Sequence, residues 1–468
     1  MKLIKYASIL GILIISLTGC TPSEKSPEQL INNNPIYNEQ NKALYDNINK
    51  MLSKSSSLLL PGNSQEVAMI NKVDLNNDNI DEIVVFEKNK NLDTDENKVG
   101  FMILNENHKG KYENKAKLID NGESIEYANF YDLDNDGCKE IIMTIKSYGK
   151  TNLHIYKYNN GYIENEYDLN PTWIMDKQNL TDMKIKVGYV DDDSKLDILM
   201  LNYDESRNRI YASIFNFNGF NKGISLIDYT SIENVKNISD LYITLGNVAT
   251  QSKRNTIKGI ILDIPTTKDN SYFTQILYLE NNALKKAFKD DDKRLMKSYY
   301  IPSEDINNDK IIEIPIVNTT LNESIYTSKS SANISWYRWN GKSNNDSNIL
   351  FTIQIYYNYE YNYKFLIPNN LANKINVEQD YNADNNVVFK FYYNDSETKS
   401  YKNIFTIATA PKNIVDDTKN VNLSTTASII LKETEKYNFI LIIEDPNEFN
   451  KLNLTTEALR DYFSLIYE

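Results

Sequence analysis

The stretch that decides the fold reads Asp132-Leu133-Asp134-Asn135-Asp136-Gly137-Cys138-Lys139-Glu140. Two other stretches match it closely and a third more weakly: Asp74–Glu82 (DLNNDNIDE), Asp305–Glu313 (DINNDKIIE) and Tyr189–Asp197 (YVDDDSKLD). The closing acids of the four stretches are 58, 57 and 116 residues apart, and the last interval is twice the first. A fixed period of this size is typical of repeated supersecondary structure. The chain is therefore predicted to contain about five tandem units, with one degenerate copy near residue 255.

Oxygen-bearing side chains recur at the first, third, fifth and ninth positions of these loops. Together with a backbone carbonyl at the seventh position, they can surround one hard cation. Calcium accepts six to eight oxygens at roughly 2.3–2.6 Å in flexible geometry, whereas magnesium demands a stricter octahedron. The pattern therefore favours calcium. The sixth position favours a left-handed backbone, which Gly137 adopts freely and Asn79 tolerates.

Two alternatives compete with this interpretation. An EF-hand needs a glutamate at its twelfth position and a helix on each side. The twelfth residue here is Val85, Met143 or Ile316, and short β-branched runs typical of strands follow the loops, so the EF-hand is excluded. The other alternative is that Asp and Asn merely form turns. Three near-complete copies in register, each running into a strand, favour a metal.

The loops resemble the FG-GAP/VCBS repeats of integrin α-chain propellers and of many bacterial surface proteins, over about residues 60–345. In that family the loop joins two strands of a propeller blade and holds calcium. The resemblance implies ligands in three complete loops: Asp74, Asn76, Asp78 and Glu82; Asp132, Asp134, Asp136 and Glu140; Asp305, Asn307, Asp309 and Glu313. It implies backbone carbonyl ligands at Ile80, Cys138 and Ile311. The weaker copy, in which Tyr189 replaces the first acid, offers Asp191, Asp193 and Asp197.

The units also share a strand that ends before an Asn/Gly turn, as in Tyr158-Asn159-Asn160-Gly161. Such turns between alternating strands indicate hairpins. We therefore predict a mainly β protein, with residues 38–345 forming a β-propeller of about five four-stranded blades. A short helix is expected over about 38–56. The period ends after Gly341, and residues 346–468 are predicted to form a carboxy-terminal α+β domain with a helix from Thr456 to Ile466.

The amino terminus combines a charged start, a short apolar run and small residues before a cut, which is typical of a secretory signal. Its ending, Leu17-Thr18-Gly19-Cys20, resembles the bacterial lipobox. That resemblance implies a signal peptide over 1–19 and a lipid-anchored, outward-facing protein attached to the cell membrane at Cys20. An ordinary secretory cut is the alternative. Residues 20–37 are polar and proline-bearing, as expected of a flexible linker. Abundant Asn, Ile, Lys and Tyr favour a Gram-positive source.

The net charge and the sequence motifs exclude several classes of function. A formal net charge of −13 disfavours nucleic acid as a partner. The two histidines, His108 and His154, have no recognisable nucleophile partner, and no zinc pair, phosphate loop or nucleophile elbow is present. We therefore predict a non-enzymatic calcium-binding module for adhesion or cell-envelope interaction, with an extracellular protein or glycan as its ligand. The alternative is a calcium-dependent polysaccharide hydrolase or lyase on a propeller scaffold.

Overall fold

The computed structural model describes residues 39–90, 97–107, 111–159, 161–169, 180–252, 255–267, 271–290, 292–317, 331–342, 348–382, 386–395, 400–412 and 428–467. The predicted signal peptide, Cys20 and the linker lie outside these ranges. The described helices are α1 (Glu39–Met51), α2 (Pro446–Lys451), α3 (Thr456–Asp461) and two 3-10 turns, Glu205–Arg207 and Lys293–Leu295. Among them, none has the length and apolar character needed to cross a bilayer.

The described chain is mainly β, and its strands form antiparallel sheets of four or five strands. Sheet 1 contains β1 (Ser56–Leu58), β2 (Ile70–Val73), β3 (Glu82–Lys90), β4 (Asn97–Glu106) and β5 (Tyr112–Asn121). Sheet 2 contains β6 (Ser124–Tyr131), β7 (Glu140–Ser147), β8 (Lys150–Asn159) and β9 (Tyr162–Leu169). Sheet 3 contains β10 (Leu180–Gly188), β11 (Asp197–Asp204), β12 (Arg209–Phe217) and β13 (Ile224–Glu233).

The remaining sheets follow in chain order. Sheet 4 contains β14 (Tyr242–Thr250), β15 (Thr256–Pro265), β16 (Tyr272–Glu280), β17 (Ala283–Lys286) and β18 (Met296–Lys297). Sheet 5 contains β19 (Ile314–Val317), β20 (Ser331–Trp339), β21 (Ile349–Asn358), β22 (Tyr363–Ile367) and β28 (Phe463–Leu465). Sheet 6 contains β23 (Ile375–Tyr381), β24 (Val387–Asp395), β25 (Ser400–Pro411), β26 (Ser428–Glu433) and β27 (Tyr437–Ile443).

Consecutive sheets pack against each other through alternate residues of their second strands. Ile141 and Met143 of β7 lie in the core shared with sheet 1, whereas Ile142 lies in the core shared with sheet 3. In the same way, Ile198 faces sheet 2 and Leu199 faces sheet 4. Because side chains alternate between the two faces of a strand, a strand buried on both faces must be apolar throughout. This explains the unbroken apolar runs that follow the acidic loops.

The outer face of sheet 1 is covered by α1. Ile83 and Val85 of β3 pack with the fully buried Ile48 of the helix. The helical spacing of the sequence over about 38–56 therefore corresponds to a real helix, which ends earlier, at Met51. At the other end of the chain, α3 begins after Thr455, whose hydroxyl accepts the Ala458 N–H at 3.2 Å. The expected helix over Thr456 to Ile466 is shorter, because the chain turns into β28.

The acidic loops occupy equivalent places in the sheets. Each of the first three joins two paired antiparallel strands of its sheet, namely β2 to β3, β6 to β7 and β10 to β11. The last loop leads directly into β19. The strands predicted after the loops are therefore confirmed. In sheet 4 the corresponding turn, between β14 and β15, carries none of the acids.

Sheet 5 spans the position at which the repeat period ends. The division predicted between residues 345 and 346 falls between β20 and β21, and these strands pair from Ser331↔Asn358 to Trp339↔Ile349. The chain also returns to this sheet at its end, where β28 pairs with β22. A division at 345/346 therefore cuts through one sheet. The sequence repeat therefore ends before sheet 5 does, because β21 pairs with β20 but does not carry the repeat motif.

Candidate metal centre

The second loop is organised by its own carboxylates. The backbone N–H groups of the turn point inward and donate to these acids: Leu133 to Glu140 at 2.9 Å, Asp136 to Asp134 at 3.2 Å, Gly137 to Asp132 at 3.0 Å and Cys138 to Asp136 at 2.9 Å. One oxygen of each carboxylate thus holds the turn. The second oxygens of Asp132 and Glu140 accept no hydrogen bond from the described residues, whereas the second oxygen of Asp136 contacts Lys157.

The same bonds recur in the other loops, so the sequence repeat is a geometric repeat. The closing acid accepts the N–H of the second loop residue in each case: Leu75 to Glu82, Val190 to Asp197 and Ile306 to Glu313. Likewise, the residue predicted to supply a carbonyl ligand donates its N–H to the fifth-position acid, Ile80 to Asp78 and Ile311 to Asp309. All four closing acids are fully buried.

Left-handed backbone occurs at two positions of the complete loops. The expected sixth position has a positive φ at Asn79 (66°), Gly137 (93°) and Lys310 (71°). The fourth position, which the sequence analysis did not single out, is left-handed as well: Asn77, Asn135 and Asn308 each have φ 60°. Asn tolerates this region because its short polar side chain bonds locally. A Cβ added to Gly137 would lie 2.9 Å from Asn77 Nδ2, so a side chain there would strain the contact between loops 1 and 2.

Acidic oxygens converge in two of the loops. The oxygens of Asp132, Asp134 and Asp136 lie within 4.8 Å of one another, and so do those of Asp305, Asp309 and Glu313. Within the loops, three buried carboxylate oxygens accept no hydrogen bond from the described residues: Asp74 Oδ1, Asp132 Oδ1 and Glu140 Oε1. Buried charged oxygens without a donor are costly. A hard cation would satisfy them, so this donor set fits calcium.

The pKa shifts of the loop carboxylates are consistent with this fit to a cation. Burial raises the pKa of Glu140 and of Glu313 to about 7 and that of Asp197 to about 6, and neighbouring loop acids add to each shift. Burial also raises the pKa of Glu82. Burial acts in the same direction on Asp136, but hydrogen bonds from Lys157 and the Cys138 N–H outweigh it and lower its pKa. At Glu140 and Glu313, burial and the neighbouring acids thus outweigh the opposite effect of Lys157 and Arg338 on the pKa.

Each loop also receives a polar side chain from the second strand that follows it in the chain (β4, β8, β12 or β20), and the sequence analysis missed these residues. Asn105 donates to Glu82 at 3.1 Å and Asn216 donates to Asp197 at 2.8 Å. In the second and fifth sheets the residue is a cation: Lys157 contacts Asp136 and lies 3.6 Å from Glu140, and Arg338 donates to Asp309 at 3.3 Å. In three of the four sheets the signal in the sequence is a polar residue between two aromatics before the turn, as in Tyr156-Lys157-Tyr158, whereas Asn105 lies between Leu104 and Glu106.

The weaker third loop differs from the complete ones. Tyr189, at its first position, is half exposed and lies under the Lys258 ammonium, 5.4 Å from the ring centre. Lys258, on β15 of sheet 4, donates to the Asp191 carbonyl at 2.8 Å. Asp191, Asp193 and Asp197 keep their turn and closing bonds. This loop thus keeps the turn of the other loops but has no acid at its first position, where Tyr189 and the Lys258 ammonium lie instead.

A cavity of about 360 Å³ lies where the first strands of sheets 2, 3 and 4 approach one another. Two glutamates and two lysines line it. Glu66 accepts from Lys186 at 2.5 Å and from Asn129 at 3.1 Å, and Lys184 donates to the Leu241 carbonyl at 2.6 Å. Glu126 accepts a short hydrogen bond from Ser124. Each charged group of this cavity thus has a hydrogen-bond partner within the protein.

The tyrosines of the β21–β22 hairpin do not form one surface. Tyr356 and Tyr363 are buried in the core between sheets 5 and 6, whereas Tyr357 and Tyr359 stack on each other with ring centres 5.8 Å apart. Tyr356 and Tyr357 are neighbours on β21, so the alternation of side chains places them on opposite faces of the strand.

No protein-family model matches the chain, and a search of curated proteins finds no match.

Proposed function

We propose that this chain is an outward-facing, lipid-anchored protein of the cell membrane that binds calcium in its acidic loops. Its role is to bind a partner, as an adhesin or cell-envelope interaction module, and it is not an enzyme. The observation that carries the calcium proposal is the set of buried carboxylate oxygens, at Asp74, Asp132 and Glu140, that no described donor satisfies. Asp74 and Asp132 occupy the same first position of two loops that share one turn geometry, and Glu140 closes the second of these loops.

Calcium is preferred over magnesium for a geometric reason. Each of the three complete loops offers side-chain oxygens at four positions and a carbonyl at a fifth, held by a turn with two left-handed residues. Such a set suits an ion that accepts six to eight oxygens with flexible geometry. Dissociation constants on the order of 10⁻⁴–10⁻³ M are expected, as for other extracellular calcium modules.

We further propose that the first five sheets are blades of a β-propeller. Three features support this arrangement: the common order of strands, the packing of each sheet on the next, and the approach of the first strands to one cavity. Lys186 of sheet 3 reaches Glu66, in the segment before β2, as expected if the first strands surround an axis. Small-angle scattering of the purified protein would distinguish a closed disc from an open row of sheets.

The binding proposal is favoured over a glycosidase or lyase by the state of the acids. Outside the loops, the glutamates of the described cavity, Glu66 and Glu126, are already engaged by protein donors. A hydrolase would need one such acid free to transfer a proton. The discriminating experiment is a glycan and cell-wall array probed with calcium and with chelator, alongside an assay for polysaccharide cleavage. Retention without cleavage supports the proposal, and calcium-dependent cleavage contradicts it.

We expect Asp136→Ala to lose more calcium-linked stability than Asp193→Ala. Both residues occupy the fifth position, but the loop of Asp136 keeps three aspartates and a closing glutamate, whereas Tyr189 replaces the first acid of the other loop. The measurement is the calcium-induced rise in melting temperature of each variant relative to the parent protein. Each variant melted in chelator serves as its own control for packing losses. Equal losses of the calcium response would contradict this ranking of the loops.

The Cys20→Ser variant should abolish membrane attachment. Acyl chains contribute about 0.8 kcal/mol per buried methylene, and two chains together give stable anchoring. Serine cannot carry the thioether-linked lipid, so the protein should accumulate as a precursor or leave the membrane fraction. Fractionation followed by immunoblotting measures this, with Cys138→Ser as the matched control that stays attached. A processed protein that lacks its signal peptide and still stays in the membrane fraction after the change at Cys20 would overturn the lipid anchor.

A further inference from the structure

We infer that Lys157 and Arg338 act as internal competitors for the cation, so that the residue at this cross-strand position sets the calcium affinity of each loop. The inference rests on the proposed calcium function and deepens it. It assigns a regulatory role to residues outside the loops themselves. The four residues concerned, here called the cross-strand residues, are Asn105, Lys157, Asn216 and Arg338.

The cross-strand residues occupy equivalent places. Glu140 pairs with Lys157 and Asp197 pairs with Asn216 in the ladders between second and third strands. In sheet 1, Ile83 pairs with Leu104, and the next residue, Asn105, bonds to Glu82. In sheet 5, Ile314 pairs with Tyr337, and the next residue, Arg338, bonds to Asp309. One position of the fold therefore faces the loop acids in four sheets.

Charge divides these positions into two pairs. An amide such as Asn105 or Asn216 satisfies one oxygen of the closing acid and leaves the negative charge of the loop intact. The Lys157 ammonium instead contacts Asp136 and lies near Glu140, two of the acids that would bind the ion. A cation within a few ångströms of a divalent ion repels it strongly where water is partly excluded. Calcium must therefore displace the ammonium or bind against it.

The sheet without acids supplies an independent comparison. In sheet 4, the motif that carries the cross-strand residue elsewhere reads Leu277-Tyr278-Leu279, and Tyr278 is buried against Trp339 with ring centres 4.7 Å apart. The polar residue is thus lost in the unit that has lost the acids. This is expected if the position serves the loop, and it has no reason to occur if the position serves only the strand.

The test compares Lys157→Asn with the reverse change Asn105→Lys. To isolate loop 2, the full chain carries Asp74→Asn and Asp305→Asn, which remove the first acid of the other complete loops. For loop 1 it carries Asp132→Asn and Asp305→Asn. Calcium affinity is measured by isothermal titration. We expect about tenfold tighter binding for Lys157→Asn and about tenfold weaker binding for Asn105→Lys. Lys157→Arg should behave as the parent.

A second measurement separates competition from simple packing. In chelator, Lys157→Asn should lower the melting temperature, because the loop acids lose their counter-ion, and in saturating calcium the variant should recover to the parent value or above. A merely structural lysine would lower both temperatures equally, which would overturn the inference. If the parent binds calcium and the variants bind it with the same affinity, the inference is also overturned. A parent that binds no calcium at either loop would instead refute the proposed function itself.

Discussion

Calcium should raise the melting temperature of the full chain by about 5–10 °C relative to the same protein in chelator. Ligand that binds only the folded state stabilises it by mass action, and at about 10 mM calcium each loop should contribute about 1.4–2.7 kcal/mol if its dissociation constant is on the order of 10⁻⁴–10⁻³ M. Three complete loops act together, which makes this one of the largest expected effects. Differential scanning fluorimetry measures it, with equal magnesium as the control.

The pH dependence of this effect has a definite sign. Burial gives Glu140 and Glu313 a folded pKa of about 7, above the ordinary 4.5. Because the folded state holds these protons more tightly than the unfolded state, the calcium-free protein should lose stability as pH rises from about 4.5 to 7. Calcium binds the ionised form, so its stabilising effect should be larger at pH 8 than at pH 5. A melting temperature indifferent to calcium at pH 8 would remove calcium from the proposal.

Dividing the chain at 345/346 should leave two aggregating pieces, although the sequence repeat ends there. The fragment 38–345 would expose the edge of β20, and the fragment 346–468 would expose the edge of β21, because these strands pair along their whole length. Unpaired strand edges are templates for aggregation. Co-expression of the two pieces should restore solubility by re-forming the ladder. Solubility is measured by size-exclusion chromatography of each fragment alone and together.

Moving the cut to residue 370 should not rescue the carboxy-terminal piece. Tyr356, Tyr363, Phe365 and Ile367 belong to the core that sheet 5 shares with sheet 6, and β28 returns to pair with β22. Losing four buried side chains of this kind costs about 6–12 kcal/mol, as much as the whole stability of a typical domain. Cooperative unfolding of an isolated 371–468 fragment would show that sheet 6 has a sufficient core of its own.

Interactions between residues that are close in the sequence determine much of this protein's structure, and these features could be predicted from the sequence alone. The spacing of the closing acids predicted tandem units, and the loop pattern predicted turns that end in strands. These predictions depend on residues that are close in the sequence. The Asp at position five of a loop accepts a hydrogen bond from the N–H two residues later, as Asp136 does from Cys138. The β-branched runs after the loops likewise indicated buried strands, because each run must be apolar when both of its faces are covered.

Only the tertiary structure decided which distant residues meet. That β21 continues sheet 5 follows from its ladder with β20, and nothing in the period marks it. Lys157 reaches Asp136 and Glu140 only because β8 pairs with β7 in one register. Strand pairing depends on the partner strand and on the packing of whole sheets, so its free energy comes from contacts between residues that are far apart in the sequence. A motif can therefore specify a loop, but the charge placed opposite that loop depends on the sheet.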